Sequence, residues 1–250
     1  MTVVLVHGNP ETPAVWDLLV PHLSRGPVVR LAPPGFGAPV PEGFGATVLE
    51  YRDWLVGELE RIVAEEGPVD LVGHDWGGGH VVNVAMARPD LLRSWASDVV
   101  GIFDPDYVWH ELAQAWQQEG VGEEAVAGML AAGPEARAAR MAGFGMDPRV
   151  AERLAAAFGE AMADAILRLY RSAAQPVMAE LGADLEKAAV RPGLALLPTE
   201  DHMVGTEEQR HRAAARAGAR VEVLAGLGHW WMTQDPRRGA AVLDLFWAGV

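Results

Sequence analysis

The chain has 250 residues, half of them hydrophobic and 22% charged, which is enough for one packed core carrying a modest insertion. A formal net charge of −14 excludes the clustered Lys and Arg that a nucleic-acid or anionic-membrane surface needs, so a small molecule is the expected partner, with no nucleic acid and no membrane. The absence of cysteine excludes disulfides, thiolate chemistry and Cys-ligated zinc.

In chain order, Met1-Thr2 leads directly into a strand at Val3–Val6, without the basic stretch and cleavage site of a secretory signal, and a cytoplasmic protein is expected. Short aliphatic runs at Val28–Leu31, Val69–Val72 and Trp95–Ile102 read as further strands. Trp16–Leu23, Val48–Glu65 and Gly78–Ala87 have helical spacing between them. This alternation is the mark of a parallel sheet with crossover helices. From Asp104 to Val190 the pattern changes to Ala, Glu, Arg and Leu at helical spacing, punctuated by Gly133-Pro134 and Asp147-Pro148. Strands return at Leu194–Leu197 and Val221–Leu224, with helices near Glu207–Ala217 and Arg238–Trp247. The expected organisation is an α/β core over residues 1–103 and 191–250, interrupted by an all-helical insertion over 104–190.

Three sites carry chemistry. The run Val69-Asp70-Leu71-Val72-Gly73-His74-Asp75-Trp76-Gly77-Gly78 is a strand entering a glycine-flanked acid and then a helix, the pattern of a nucleophile elbow. Asp75 stands at its tip, where the dipole of the following helix is expected to help keep the carboxylate ionised. The bland alternative is an Asp that caps that helix. His7-Gly8-Asn9-Pro10 follows the first strand, and the backbone N–H groups of Asn9 and Trp76 are placed to bind an oxyanion. Asp201 lies just past one late strand and His229 in the loop after the next, giving the order nucleophile, acid, histidine. His74 and His80 flank the elbow and are expected to pack or hydrogen-bond there. No His-x-His or His-Glu-x-x-His spacing occurs, so neither a metal nor a cofactor is expected.

His7-Gly8-Asn9-Pro10, Pro34-Gly35-Phe36-Gly37, the Gly73–Gly78 elbow, Asp201 and Gly228-His229-Trp230 together resemble the Asp-nucleophile branch of the α/β hydrolases, which contains epoxide hydrolases and haloalkane dehalogenases. The resemblance spans nearly the whole chain and implies an α/β-hydrolase fold, a mostly parallel sheet flanked by helices, with a helical cap at 104–190. One departure is that the edge hairpin usual before the His-Gly-x-Pro strand is missing. The exposed sheet edge then needs cover from side chains or from a partner chain, which leaves a homodimer as an option.

The resemblance implies that cap tyrosines protonate an opening epoxide. Tyr170, followed by Arg171, is the first choice for this role, with Tyr107 or His110 as the second donor. Asp75 would attack the epoxide, and His229, oriented by Asp201, would activate water to hydrolyse the resulting ester to a vicinal diol. The competing dehalogenase reading uses the same Asp75 and His229, with Asn9 and the Trp76 indole as halide donors and Asp104 or Asp106 as an alternative acid. A third reading is a non-catalytic relative that only binds a ligand under its cap. The complete Asp75, Asp201 and His229 set argues against it.

Overall fold

The computed structural model describes residues 1–250. Six strands, β1 (Val3–Val6), β2 (Val28–Leu31), β3 (Val69–Gly73), β4 (Leu92–Ser97), β5 (Gly193–Pro198) and β6 (Ala219–Leu224), form one sheet in the order β2-β1-β3-β4-β5-β6, with every pairing parallel. The helices are α1 (Val48–Glu66), α2 (Trp76–Ala87), α3 (Glu111–Gln117), α4 (Val121–Ala131), α5 (Gly133–Gly143), α6 (Pro148–Ala157), α7 (Glu160–Ser172), α8 (Val177–Gly182), α9 (Glu207–Arg216), α10 (Trp231–Gln234) and α11 (Pro236–Ala248). None is long and apolar enough to cross a membrane.

The central strands are buried on both faces, as parallel strands covered by helices must be. Val4 and Val6 of β1 and Leu71 of β3 point to one side, with Leu55 and Leu59 of α1. Val3, Leu5 and Val72 point to the other, with Leu243 and Trp247 of α11. Helix starts follow from local chemistry. Thr47 and Glu50 form a reciprocal capping box on α1, and Asp147 accepts from the Arg149 and Val150 amides to open α6 after the Asp147-Pro148 break.

Two elements differ from the sequence expectation. Trp16–Leu23 is not a helix but two 3₁₀ turns, Pro13–Trp16 and Val20–His22. Pro21 lacks an N–H and its ring would clash with the carbonyl of Asp17 in an α-helix. The strand expected at Trp95–Ile102 runs instead over Leu92–Ser97, and Val100–Phe103 forms a 3₁₀ turn. That apolar run is buried at the end of the sheet, and burial alone does not separate strand from turn.

The chain order places the site. β1 lies between β2 and β3, so the crossovers leaving β1 and β3 diverge to opposite sides and open a crevice at their carboxyl ends. The Asn9 loop and Asp75 stand at that crevice. Between β4 and β5, helices α3 to α8 supply the other wall.

Candidate active site

β3 runs without a break into a tight turn at His74-Asp75, and α2 starts at Trp76. Asp75 has φ 50° and ψ −130°, a conformation costly for a residue with a Cβ. The packing around it leaves no alternative path. A Cβ on Gly77 would run into the carbonyls of Val6 and His7, and one on Gly8 would overlap the Asp75 carboxylate. Asp75 caps no amide of α2, which removes the helix-cap alternative. Its Oδ1 accepts the Asn9 backbone N–H at 2.7 Å, and its Oδ2 lies 3.7 Å from His229 Nε2. Burial pushes its pKa up to about 6, against the pull of His229 and His74. The expected help from the helix dipole does not keep it in the ordinary carboxylate range, because loss of water is the larger effect.

His229 sits in the loop after β6, which the Glu200 N–H to Leu227 carbonyl bond (2.9 Å) ties to the loop after β5. Its Nδ1 is 2.8 Å from Asp201 Oδ2, and Asp201 Oδ1 accepts the Met203 N–H at 2.9 Å. Burial disfavours the imidazolium, but the charge and hydrogen bond of Asp201 outweigh it and lift His229 to about 9. The partnership depresses Asp201 to about 2, despite its own burial. Asp104 and Asp106 do not reach His229. Both bind Arg212, Asp104 through 2.7 Å bonds to Nε and Nη2.

Tyr170 is delivered by the amphipathic face of α7, where Met162, Ile166, Leu169 and Tyr170 are buried at helical spacing. Its ring packs against Trp76, Trp109 and Trp116. The Asn9 side-chain amide donates to the Tyr170 hydroxyl at 3.3 Å. Burial and the Asp75 charge push the phenol above its usual range, while the Asn9 and Trp76 donors oppose this, so the hydroxyl keeps its proton. The two other ring-opening candidates differ. Tyr107 donates its hydroxyl to the Met203 carbonyl at 2.8 Å, which occupies its only proton, so it does not fit the donor role. His110 Nδ1 accepts the Ala113 N–H at 3.2 Å at the start of α3, leaving Nε2 to carry the proton of the neutral ring. Asp75, Trp76, Trp109, His110 and Tyr170 enclose a chamber of about 20 Å³. A larger outer cavity of about 490 Å³, reaching Asp201 and Arg210, shares His110 and Met203 with it.

Behind the elbow lies a charged cluster of which the sequence indicates only His74, expected to pack or hydrogen-bond there. His74, fully buried, has Nδ1 2.5 Å from Asp98 Oδ2 and Nε2 3.1 Å from Glu11 Oε1. Burial opposes its charge, but these two carboxylates hold its pKa well above the ordinary value. Asp98 Oδ1 also accepts the Asp75 backbone N–H at 3.0 Å, and the Trp231 and Trp230 indoles donate to Asp98 (2.7 Å) and Glu11 (2.6 Å). The one sequence signal was three chemically capable residues, Glu11, His74 and Trp230, each next to or near a site motif. Asp98 was hidden inside the segment read as a strand.

The family model described as "Alpha/beta hydrolase family" matches residues 3–242. The chain belongs to the alpha/beta hydrolase family. Its sheet, elbow and helical excursion are those of this fold. Among curated relatives, a protein of Mycobacterium tuberculosis named "Probable oxidoreductase EphD" is 33% identical over 132 residues, 46% of this chain and 21% of that protein. The (E)-2-((N-methylformamido)methylene)succinate hydrolase of Acinetobacter baylyi is 29% identical over 94 residues, 37% of this chain and 35% of that protein. The matches thus span about a fifth and about a third of these relatives' lengths. Among solved structures, the haloalkane dehalogenase DbeA of Bradyrhizobium elkani superposes with a TM-score of 0.73 at 20% identity, covering 100% of this chain and 91% of that one.

Proposed function

We propose that this alpha/beta hydrolase opens a small, uncharged epoxide to a vicinal diol through an ester on Asp75. The observation that carries the reading is the Tyr170 hydroxyl, which accepts from the Asn9 amide and keeps its own proton. In a dehalogenase-like use of the site, Asn9 and the Trp76 indole would serve the departing halide. Here the Asn9 amide is directed at the phenol oxygen, at 3.3 Å, and donation to that oxygen makes its O–H a better acid for a departing alkoxide.

The steps follow from the geometry. Asp75 Oδ2 attacks an epoxide carbon, and Tyr170, with His110 Nε2 as the second donor, protonates the oxygen as the C–O bond breaks. The ester carbonyl oxygen is then Oδ1, already held by the Asn9 N–H at 2.7 Å. The Trp76 amide, at the first position of α2 and without an intrahelical acceptor, is the second oxyanion donor. Esterification removes the negative charge beside His229 Nε2, so the imidazolium loses one of its two stabilising carboxylates and releases its proton, which restores the Tyr170 phenol. Neutral His229 then takes a proton from water as the hydroxide adds to Asp75 Cγ, and the Cγ–O bond to the substrate breaks with the remaining hydroxyl proton passing to the departing alkoxide, which frees the diol and restores the Asp75 carboxylate and the His229 imidazolium. The chamber favours a small substrate, since about 20 Å³ holds roughly one water and a larger ligand must displace the His110–Met203 wall.

Haloalkane dehalogenation by the same Asp75 and His229 remains the second reading, favoured by the presence of Asn9 and Trp76 beside the elbow. Epichlorohydrin carries both leaving groups in one small molecule and separates the two. The expected product is 3-chloro-1,2-propanediol, with chloride retained and with the rate falling ~10² to 10⁴ in Tyr170→Phe. Chloride release with glycidol as product, unaffected by Tyr170→Phe, would replace the epoxide reading with the dehalogenase one.

A further inference from the structure

Arg210 is 5% exposed, whereas Arg212 and Arg216 of the same helix α9 reach the surface and pair with Asp104 and Glu186. A buried guanidinium normally lies against a carboxylate, because leaving its charge uncompensated costs several kcal/mol. Arg210 makes no such contact. Its Nη1 donates to two backbone carbonyls, Pro198 at 2.9 Å and Asp201 at 3.3 Å, while Nε and Nη2 have no protein partner. A methionine would fill the same space without the desolvation cost.

The surroundings indicate what the charge serves. Pro198 and Asp201 are the two ends of the loop that carries the acid. On the other side, a Cβ on Gly101 would come within 2.8 Å of Arg210 Cγ and would strike the Val204 carbonyl. Gly101 stands three residues after Asp98, and Val204 three after Asp201. The Arg210 stem therefore passes where the two acid-bearing loops meet, and only a glycine in the turn after β4 leaves room for it. Asp201 and Asp98 are the first two carboxylates whose fields it feels, followed by Glu207.

We propose that Arg210 is a positioning residue: it clamps the loop bearing Asp201 and supplies the buried positive charge that faces both Asp201 and Asp98. This rests on the reading of Asp201 and His229 as the water-activating pair. The groups that face this pair are Asp75 and His74 from the elbow, Glu11 from the loop after β1, Tyr107 and His110 from the helical insertion, and Arg210 from α9, which Asp98 of the turn after β4 and Glu207 of α9 face in turn. Of the two cations in this set besides His229, His74 and Arg210, the guanidinium is the one that cannot be deprotonated. A cation beside Asp201 offsets part of the negative charge that holds the proton on His229, so Arg210 holds the base closer to the pH at which it can work.

The test compares Arg210→Met, Arg210→Gln and Arg210→Lys by NMR titration of the His229 ring, its resonance identified by its loss in His229→Gln. Met and Gln should raise the His229 midpoint by about half a pH unit or more, and Lys should leave it in place. The rising limb of the pH–rate profile for epoxide hydrolysis should move with it. Gln retains a donor for the Pro198 and Asp201 carbonyls without the charge, which keeps the test valid if Met impairs folding. An unmoved His229 midpoint in both neutral variants overturns the proposal, even if kcat or Tm falls. Because the titration needs no substrate, a shifted midpoint in a protein that opens no epoxide would uphold Arg210 and overturn the epoxide reading instead.

Discussion

Two histidines, with ring centroids 4.7 Å apart, are built into the site on opposite plans. His74 is sealed behind the elbow between Asp98 and Glu11, and both of its ring nitrogens are occupied by carboxylates that nothing in the reaction alters. His229 faces the chamber with one permanent carboxylate, Asp201, on Nδ1 and a second, Asp75, near Nε2 that would lose its charge in the proposed esterification. The same pairing of imidazole with carboxylate thus gives a fixed cation in one case and, on the proposed mechanism, a switchable base in the other. The difference lies in whether the second carboxylate is consumed by chemistry.

The comparison breaks most sharply at the acid. Asp201→Asn should lower turnover by ~10⁴, the usual cost of a triad acid, with the alkyl ester accumulating as one adduct on the Asp75 peptide by intact-mass and peptide analysis. Asp104→Asn should leave turnover within a few-fold, since Asp104 serves Arg212. Equal losses in the two variants would remove Asp201 from the role given to it.

His74→Gln probes the fixed cation. It leaves Glu11 and Asp98 buried without their shared positive partner, and loss of one partner from such a cluster costs ~3 to 5 kcal/mol, read as a lower midpoint in chemical denaturation. If stability is unchanged, His74 is not the cation that the cluster requires.

Asp75→Asn should act in the opposite direction. The folded state raises the Asp75 pKa from 3.8 to about 6, so its contribution to stability is complete below 3.8 and is lost as pH rises through 6. At pH 7 the ionised carboxylate is therefore a cost, and the isosteric amide, in a residue that tolerates positive φ, should stabilise the inactive protein by ~2 kcal/mol. His229, raised from 6.5 to about 9, stabilises fully below 6.5 and loses that contribution as pH rises through 9. Wild-type stability should consequently fall between pH 7 and 9.5, with a shallower decline in His229→Gln.

The smallest effect concerns rate against pH. Single-turnover ester formation should fall below about pH 6 as Asp75 takes up a proton, while ester hydrolysis should not share that limb, because Asp75 is then esterified. A common acid limb for both halves would mean that a group other than Asp75 governs it.

The fold was legible in the sequence because it rests on local signals: alternating apolar runs and helical stretches, the Asp147-Pro148 break at a helix start, and glycines around one acid. The elbow in particular is written locally, since Gly73, Asp75 and Gly77 lie within five residues and their spacing alone demands a tight turn. What tertiary structure alone decided was which side chains meet. The sequence ranks Tyr170 above Tyr107 only through the Arg171 that follows it, whereas in the fold the Tyr107 hydroxyl is used by the Met203 carbonyl 96 residues away and the Tyr170 hydroxyl sits on the Asn9 amide 161 residues away. The chain order favours Asp201 as the acid and leaves Asp104 and Asp106 as alternatives until the fold commits both of these to Arg212. Glu11, Asp98 and Arg210 carry no motif at all. Their charges matter only because the fold brings two loops and helix α9 to one low-dielectric place, where each ionised group depends on neighbours that are remote in the chain.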